Sequence, residues 1–283
     1  NFTSIASNLN LSPVMMGNTT VWKTATTAIL SNYYLMKVFI EAGLPDGVVN
    51  FLCGSGALIG KHVIDSEHLA GIHFTGSNST FNGLWSQVGA NLPKYKSYPR
   101  LIGETGGKDF IFVHPSAPAK EVAASAFAGA FEFQGQKCSA ASRMYVPKSL
   151  WSEIKSELEM WSNTVKMGDV MDSNNFINAV IDEKSFDNIV SYIEFAKQSN
   201  QAEIIFGGTY DKSIGYFVKP TLILTTNPKF KSMQYLLLYF RNNGSYILSN
   251  TLFIIFCTIL SSKLLIPNGL VAPGLPSFGI CTC

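Results

Sequence analysis

Apolar positions along most of this chain recur at two alternating spacings, which predicts strands followed by helices. Thr19 to Lys23 is a short β-branched and aromatic run that reads as a strand. From Thr27 to Ala42, Leu30, Tyr33, Tyr34 and Val38 fall at helical spacing, and Gly43 and Pro45 supply the stop. Asp46 to Cys53 ends as a buried-type strand. Leu69 to Thr75 reads as another strand, and Gly76-Ser77 opens a helix running to about Ala90. After the polar linker Pro93 to Arg100 the alternation resumes. It gives a strand at Asp109 to Val113, an Ala-rich helix at Ala117 to Phe133, and a strand at Met144 to Val146 closed by Pro147. An amphipathic helix follows at Leu150 to Trp161, with Glu153, Glu157 and Glu159 on its polar face. Asp172 to Gln201 shows two further helical patterns. Glu203 to Gly208 and Gly215 to Thr221 read as strands. Met15 to Asn18 reads as a turn, and Asn1 to Leu11 is a polar, small-residue stretch with no assigned element. Strand and helix in turn imply an α/β fold with largely parallel sheets.

Composition narrows the function more than the fold. The 283 residues suffice for one large domain or two ordinary ones, and 47% hydrophobic content is ample for a core. With 14% charged residues and a net charge of +2, no basic block points to nucleic acid. The cysteines at 53, 138, 257, 281 and 283 form neither a disulfide framework nor, with the histidines at 62, 68, 73 and 114, a metal-ligand spacing, so no metal is expected.

Two stretches carry candidate chemistry. In Phe131 to Arg143, FEFQGQKCSAASR, Cys138 lies among small and polar residues that leave room for a substrate, and Lys137 beside it favours the thiolate. A lone cysteine of this kind is equally at home as a buried structural residue. In Leu101 to Phe110, LIGETGGKDF, Glu104 precedes the Gly106-Gly107 turn. Alone it reads as a solvated carboxylate; paired with a cysteine 34 positions on, it suits thioester formation and hydrolysis. Two glycine turns are candidates for phosphate. Gly54 to Gly60 is one residue off a dinucleotide fingerprint and reads first as a turn opening a helix. Gly76-Ser77 at a helix start is the better anion site, although an ordinary strand-to-helix turn has the same composition.

E-T-G-G-K followed by F-E-F-Q-G-Q-K-C-S-A-A-S-R resembles the glutamate and cysteine signatures of the aldehyde dehydrogenase superfamily, at that family's spacing. Further motifs agree in order: NFTSIASNL, MGNTTVWKTA, EAGLPDGVVNFL, SEHLAGIHFTGS and QKCSAASRMYVPKSLW. The likeness runs from Asn1 to about Gln234, towards the branch that oxidises L-glutamate γ-semialdehyde to glutamate in proline catabolism. The resemblance implies an aldehyde dehydrogenase-like α/β fold truncated at both ends. Residues 1–104 would belong to a Rossmann-like cofactor domain and 105–234 to an α/β catalytic domain. It implies Cys138 as nucleophile, Glu104 as the base that activates water, and Asn1 as an oxyanion donor. Lys23 would hold the adenosine ribose of NAD, with Gly76, Ser77, Asn78, Ser79 and Thr80 in a cofactor-contacting loop. Phe2, Lys137 and Ser139 would line the substrate pocket. Thr26 stands where many NAD-preferring relatives carry glutamate, and Phe81 where many carry glycine. A homo-oligomer and a mitochondrial matrix location are further implications, with neither nucleic acid nor membrane as partner.

After Gln234 the resemblance ends. The family would continue with an E-E-I-F-G-P block whose glutamate holds the nicotinamide ribose. Here an apolar tail follows, with no charge over the 21 residues from Asn242 to Ser262. The tail reads as retained intron or mis-spliced sequence; a membrane anchor and a genuine variant domain end are the other readings. Its length permits a membrane span, which its Asn and Ser residues weaken. A sheet cut at Gln234 would keep open edges, and a non-catalytic remnant is the rival function. The chain opens without an initiator methionine, so a leader peptide is expected to be missing.

Overall fold

The structure, a computed structural model, describes residues 3–106, 109–234 and 251–256. Asn1 and Phe2, and the remainder of the expected tail, lie outside the described residues. The chain divides into two compact units, with the boundary between Thr105 and Gly106.

The first unit begins with helix α1 (Thr3–Met15), where the sequence pattern assigned no element. Asn10 sits buried in it because its amide donates to the Ala6 carbonyl, 2.8 Å away and one turn back. Strand β1 (Thr20–Lys23) leads through helix α2 (Ile29–Glu41) to β2 (Val49–Leu52), its parallel partner. Trp22, packed edge-on against Phe51 at 5.1 Å, fixes this pair over Ala6 and Val49. Helix α3 (Gly56–Asp65) connects to β3 (Gly71–Thr75). Helix α4 (Asn78–Ala90) then returns to β4 (Arg100–Glu104), the parallel partner of β3. Ile64, Leu69 and Val88 form the core beneath this second pair.

The second unit is built on a five-stranded sheet. Its strands are β5 (Phe110–Phe112), β6 (Arg143–Pro147), β9 (Ala202–Phe206), β12 (Leu222–Thr225) and β13 (Thr251–Phe256), in spatial order β5-β6-β13-β12-β9. Two short pairs lie outside it: β7 (Lys166–Met167) with β8 (Asn175–Ile177), and β10 (Tyr210–Asp211) with β11 (Phe217–Val218). Helix α5 (Ala119–Phe131) buries Ala123, Ala126 and Ala130 completely. These small side chains let it lie close against α6 (Lys148–Thr164), which contributes Ile154 and Leu158 to the same core. Met144 and Val146 of β6 point into that core. Helix α7 (Glu183–Lys197) covers β9, and the short α8 (Lys231–Gln234) follows β12.

Four expectations are corrected here. The sheets are not largely parallel: in the five-stranded sheet only β5 and β6 run parallel, and β6–β13, β13–β12 and β12–β9 are antiparallel. Asp172 to Gln201 holds one helix, not two. Asp169 and Asp172 accept hydrogen bonds from the Met171 and Asn174 N–H groups at 2.8 and 3.0 Å, so local turns replace a helical start. Asp182 then caps α7 through the Ser185 N–H. The strand expected at Gly215 to Thr221 splits around Pro220 into β11 and β12. Finally, the sheet does not stop at Gln234: β13 lies between β6 and β12, antiparallel to both.

Candidate active site

Cys138 lies seven residues beyond the end of α5, on a turn that the chain enters under strain. Glu132 ends the helical run, and Phe133, Gln134 and Gly135 then take φ of 53°, 56° and 65°. Glycine adopts such angles freely; for Phe133 and Gln134 each costs about 1–3 kcal/mol and persists only where surrounding contacts dictate it. Those contacts come from the 178–181 segment. The buried Gln136 side chain accepts the Ile181 N–H at 2.9 Å, and the Gln136 N–H closes the turn on the Phe133 carbonyl at 3.0 Å. The Gln134 amide packs on Asn178, whose N–H lies 2.8 Å from it when the amide oxygen faces that donor.

Beyond this turn, Cys138 and Ser139 are the central residues of a second one, closed by the Ala140 N–H on the Lys137 carbonyl at 3.2 Å. The Cys138 side chain is neither fully buried nor freely exposed. Lys137 does not present a bare ammonium beside it, because Glu132 meets its Nζ at 2.7 Å. That pair is partly exposed and worth less than about 1 kcal/mol in stability, but it fixes where the Lys137 charge stands. Downstream, the Ala141 N–H donates to the Gly129 carbonyl at 2.9 Å, and the Ser142 N–H and Oγ both donate to the Asp109 carbonyl. The thiol turn is thus tied to α5 on one side and to the start of β5 on the other.

Asp109 was not singled out in the sequence. Burial pushes its pKa up to about 6 against the opposing pull of the Arg143 guanidinium. Arg143 is itself buried, donates to the Met233 carbonyl at 3.0 Å, and lies over the Phe110 and Tyr145 rings. An arginine beside a cysteine motif gives no sequence cue to a partner 90 positions away.

In the first unit, the parallel pairing of β1 with β2 brings Lys23 to the turn that opens α3. A Cβ added at Gly56 would stand 3.5 Å from Lys23 Nζ. Ser55, at the helix start, makes no capping bond of its own. The pairing of β3 with β4 sets Thr75 opposite Glu104, and the Gly76 N–H donates to the Glu104 carbonyl at 3.2 Å. Ser77 caps α4 by accepting the Thr80 N–H at 3.1 Å, with the Ser79 and Thr80 hydroxyls gathered around its Oγ. Thr75 Oγ1 and Asn78 Oδ1 are buried at this helix start with no hydrogen-bond partner. A polar ligand there would satisfy groups that the protein leaves unsatisfied. Gly76 itself has no room for a side chain, since a Cβ would come within 2.6 Å of the Phe74 ring.

Phe81 finds its place without entering that turn. It stacks on Phe74 at 5.8 Å, meets Trp85 edge-on, and occupies the space over Gly103, whose missing Cβ would fall 2.1 Å from the Phe81 ring. Of the expected site residues, Lys137, Cys138 and Ser139 share one turn of the second unit. Gly76 to Thr80 share the β3–β4 end of the first with Glu104, and Lys23 stands at the α3 turn. Among the described residues no group of three or more His, Cys, Asp or Glu side chains could hold a metal ion.

The model of the aldehyde dehydrogenase family matches residues 1–235. The chain is 51% identical over 236 residues to the mitochondrial delta-1-pyrroline-5-carboxylate dehydrogenase of Dictyostelium discoideum, covering 83% of this chain and 42% of that protein. It is 46% identical over 230 residues to the human enzyme of that name, covering 81% of this chain and 41% of that one. The delta-pyrroline-5-carboxylate dehydrogenase of Mycobacterium tuberculosis, solved with NAD bound, superposes with a TM-score of 0.78 at 45% identity, over 81% of this chain and 43% of its own. The chain therefore spans about 42% of the length of the curated relatives it matches. Because the family model matches residues 1–235 of the 283, the chain belongs to the aldehyde dehydrogenase family.

Proposed function

We propose that this chain carries the nucleophile and base of an NAD-dependent dehydrogenase that oxidises L-glutamate γ-semialdehyde, the ring-opened form of pyrroline-5-carboxylate, to L-glutamate. The observation that carries the reading is the placement of Cys138: a partly accessible thiol at the centre of a turn, directly after a strained and clamped approach. A structural cysteine needs neither the opening nor the strain.

In this reading residues 1–104 are part of the cofactor domain and 105–234 part of the catalytic domain. The Cys138 thiolate adds to the aldehyde carbon, and the Cys138 N–H together with Asn1 holds the resulting oxyanion. NAD, held by Lys23 and the Gly76–Thr80 turn, would supply the acceptor for the hydride that the adduct on Cys138 gives up as it becomes a thioester. Glu104 takes a proton from water, the hydroxide attacks the thioester carbonyl, and glutamate departs as the thiolate is restored. Lys137, held by Glu132, and Ser139 contact the substrate's amino acid end, and Phe2 is a further substrate residue by resemblance to the family. Lys23 and the Gly76–Thr80 turn hold the cofactor. The unsatisfied Thr75 and Asn78 oxygens and the ammonium beside the α3 start suit a ligand with hydroxyls and phosphates. The mitochondrial names of the relatives support a matrix location, and a homo-oligomer completes the proposal.

The test is NADH formation from pyrroline-5-carboxylate. Cys138→Ala should abolish it. Glu104→Gln should give about one equivalent of NADH per chain and then stall at the thioester. Parent-level turnover in the Cys138→Ala protein, or no NADH from the parent with this substrate, overturns the reading.

A further inference from the structure

In the left-handed run Phe133–Gln134–Gly135, Phe133 is 43% exposed and two of the three residues are ill-suited to their backbone angles. What the run does is reverse the chain between the end of α5 and Cys138. Its shape is imposed from outside by two side chains that reach the same segment. Gln136, 8% exposed, receives the Ile181 N–H at 2.9 Å, and its own amide nitrogen lies 3.4 Å from the Phe133 carbonyl. The Gln134 amide rests on Asn178, and Asn178 is in turn anchored by donating to the Gly168 carbonyl at 3.1 Å. The receiving segment is firm, since the Val180 N–H donates to the Tyr216 carbonyl at 2.9 Å and Val180 is buried beside α7.

We propose that Gln136 is a positioning residue for the Cys138 nucleophile. Its buried amide locks the strained turn to Ile181, and so sets the thiol relative to the Lys137 ammonium and the N–H groups of its own turn. The proposal builds on the reading of Cys138 as nucleophile. Without the lock, Phe133 and Gln134 relax towards ordinary backbone angles, and the chain from Gly135 to Ser139 moves with them. The distance of the thiol from the Lys137–Glu132 pair and from the N–H groups of its turn then changes, and the stabilisation of the thiolate changes with it. Isolated from the fold, Gln136 is only a polar residue next to a lysine, which is why its sequence position says nothing of this role.

The experiment follows Cys138 alkylation by iodoacetamide against pH in the full chain, read by peptide mapping, with the exposed Cys53 as internal reference. Gln136→Met keeps the length and removes the acceptor. Its Cys138 profile should move up by about one pH unit, a roughly tenfold smaller thiolate fraction below the midpoint, while the Cys53 profile stays in place. Asn178→Ala keeps the N–H that Gln134 accepts but removes the amide bond to the Gly168 carbonyl that anchors it, so it should move Cys138 in the same direction and serves if the Met variant does not fold. Ile223→Val, a core change away from this turn, should lower the melting temperature without moving either profile. An unmoved Cys138 profile in the folded tether variants, or an equal shift in the Ile223→Val control, overturns the proposal. Because alkylation needs neither cofactor nor aldehyde, failure of the dehydrogenase reading and failure of the tether are seen separately.

Discussion

Asp109 illustrates how a single buried carboxyl sets a pH dependence. Its pKa in the folded chain, about 6, lies above its ordinary value of 3.8, because burial disfavours the charged form more than Arg143 favours it. Between those two values the folded state holds more protons than the unfolded one, so stability from this group is greatest below about pH 4 and declines until about pH 6. Asp109→Asn should remove that decline. The variant should melt higher than the parent at pH 7 and about equally at pH 4, by calorimetry across the range. Equal melting temperatures at pH 7 would mean that Arg143 offsets the burial in full. At this same scale the sequence offered Cys138 and Glu104 as candidates, because their neighbours form recognisable words. It did not show Gln136, Glu132, Asp109 or Arg143. Their partners lie at Ile181, Lys137 and Met233, or depend on burial that no local composition reports.

At the scale of elements, the β3–α4–β4 unit depends on one small residue. Gly103 sits in a strand, where a larger side chain would ordinarily be favoured, yet a Cβ there would collide with the Phe81 ring at 2.1 Å. Phe81 cannot swing away freely, because Phe74 stacks on one face and Trp85 meets its edge. Gly103→Ala should therefore cost about 1–3 kcal/mol, as overpacking does. Phe81→Ala alone should cost stability through lost aromatic contact, but the double variant should cost less than the sum by about 1 kcal/mol or more. Urea unfolding of the four proteins completes the cycle, and strict additivity would show that the ring moves aside. Strand β3 and helix α4 of this unit were legible in the sequence, whereas β4 was read as the end of a linker and a domain crossing. Helix α1 was not, because its Asn10 is buried through a hydrogen bond to its own backbone that period analysis counts as polar. The extra helix expected before α7 failed because Asp169 and Asp172 spend their carboxylates on local turns.

For the whole molecule, the largest departure from the sequence reading is the part played by Thr251–Phe256. A run without family resemblance and without charge reads as a tail; as a strand it occupies the middle of the sheet in the second unit, where one pairing partner lies some hundred residues upstream. Its pairing is continuous on both sides: Ile254 lies opposite Met144 of β6 and opposite Leu224 of β12. Such a position tests sharply for proline, which cannot donate to a ladder and is tolerated in sheets only at edges or bulges. Ile254→Pro should leave a sheet carbonyl unpaired, at about 1–3 kcal/mol, and open the ladder towards both neighbours. Hydrogen exchange should then show lost protection at β6 and β12 and unchanged protection at β3 and β4, which belong to the other unit. The same variant should leave the Cys138 alkylation profile in place, because the clamp on that turn comes from Gln136 and Asn178 rather than from β13. If β6 and β12 exchange as slowly as in the parent, residues 251–256 contribute nothing to the sheet, and the non-native reading of the stretch regains its force. If their protection falls, a segment with no counterpart in the family signature is holding the family's catalytic sheet together.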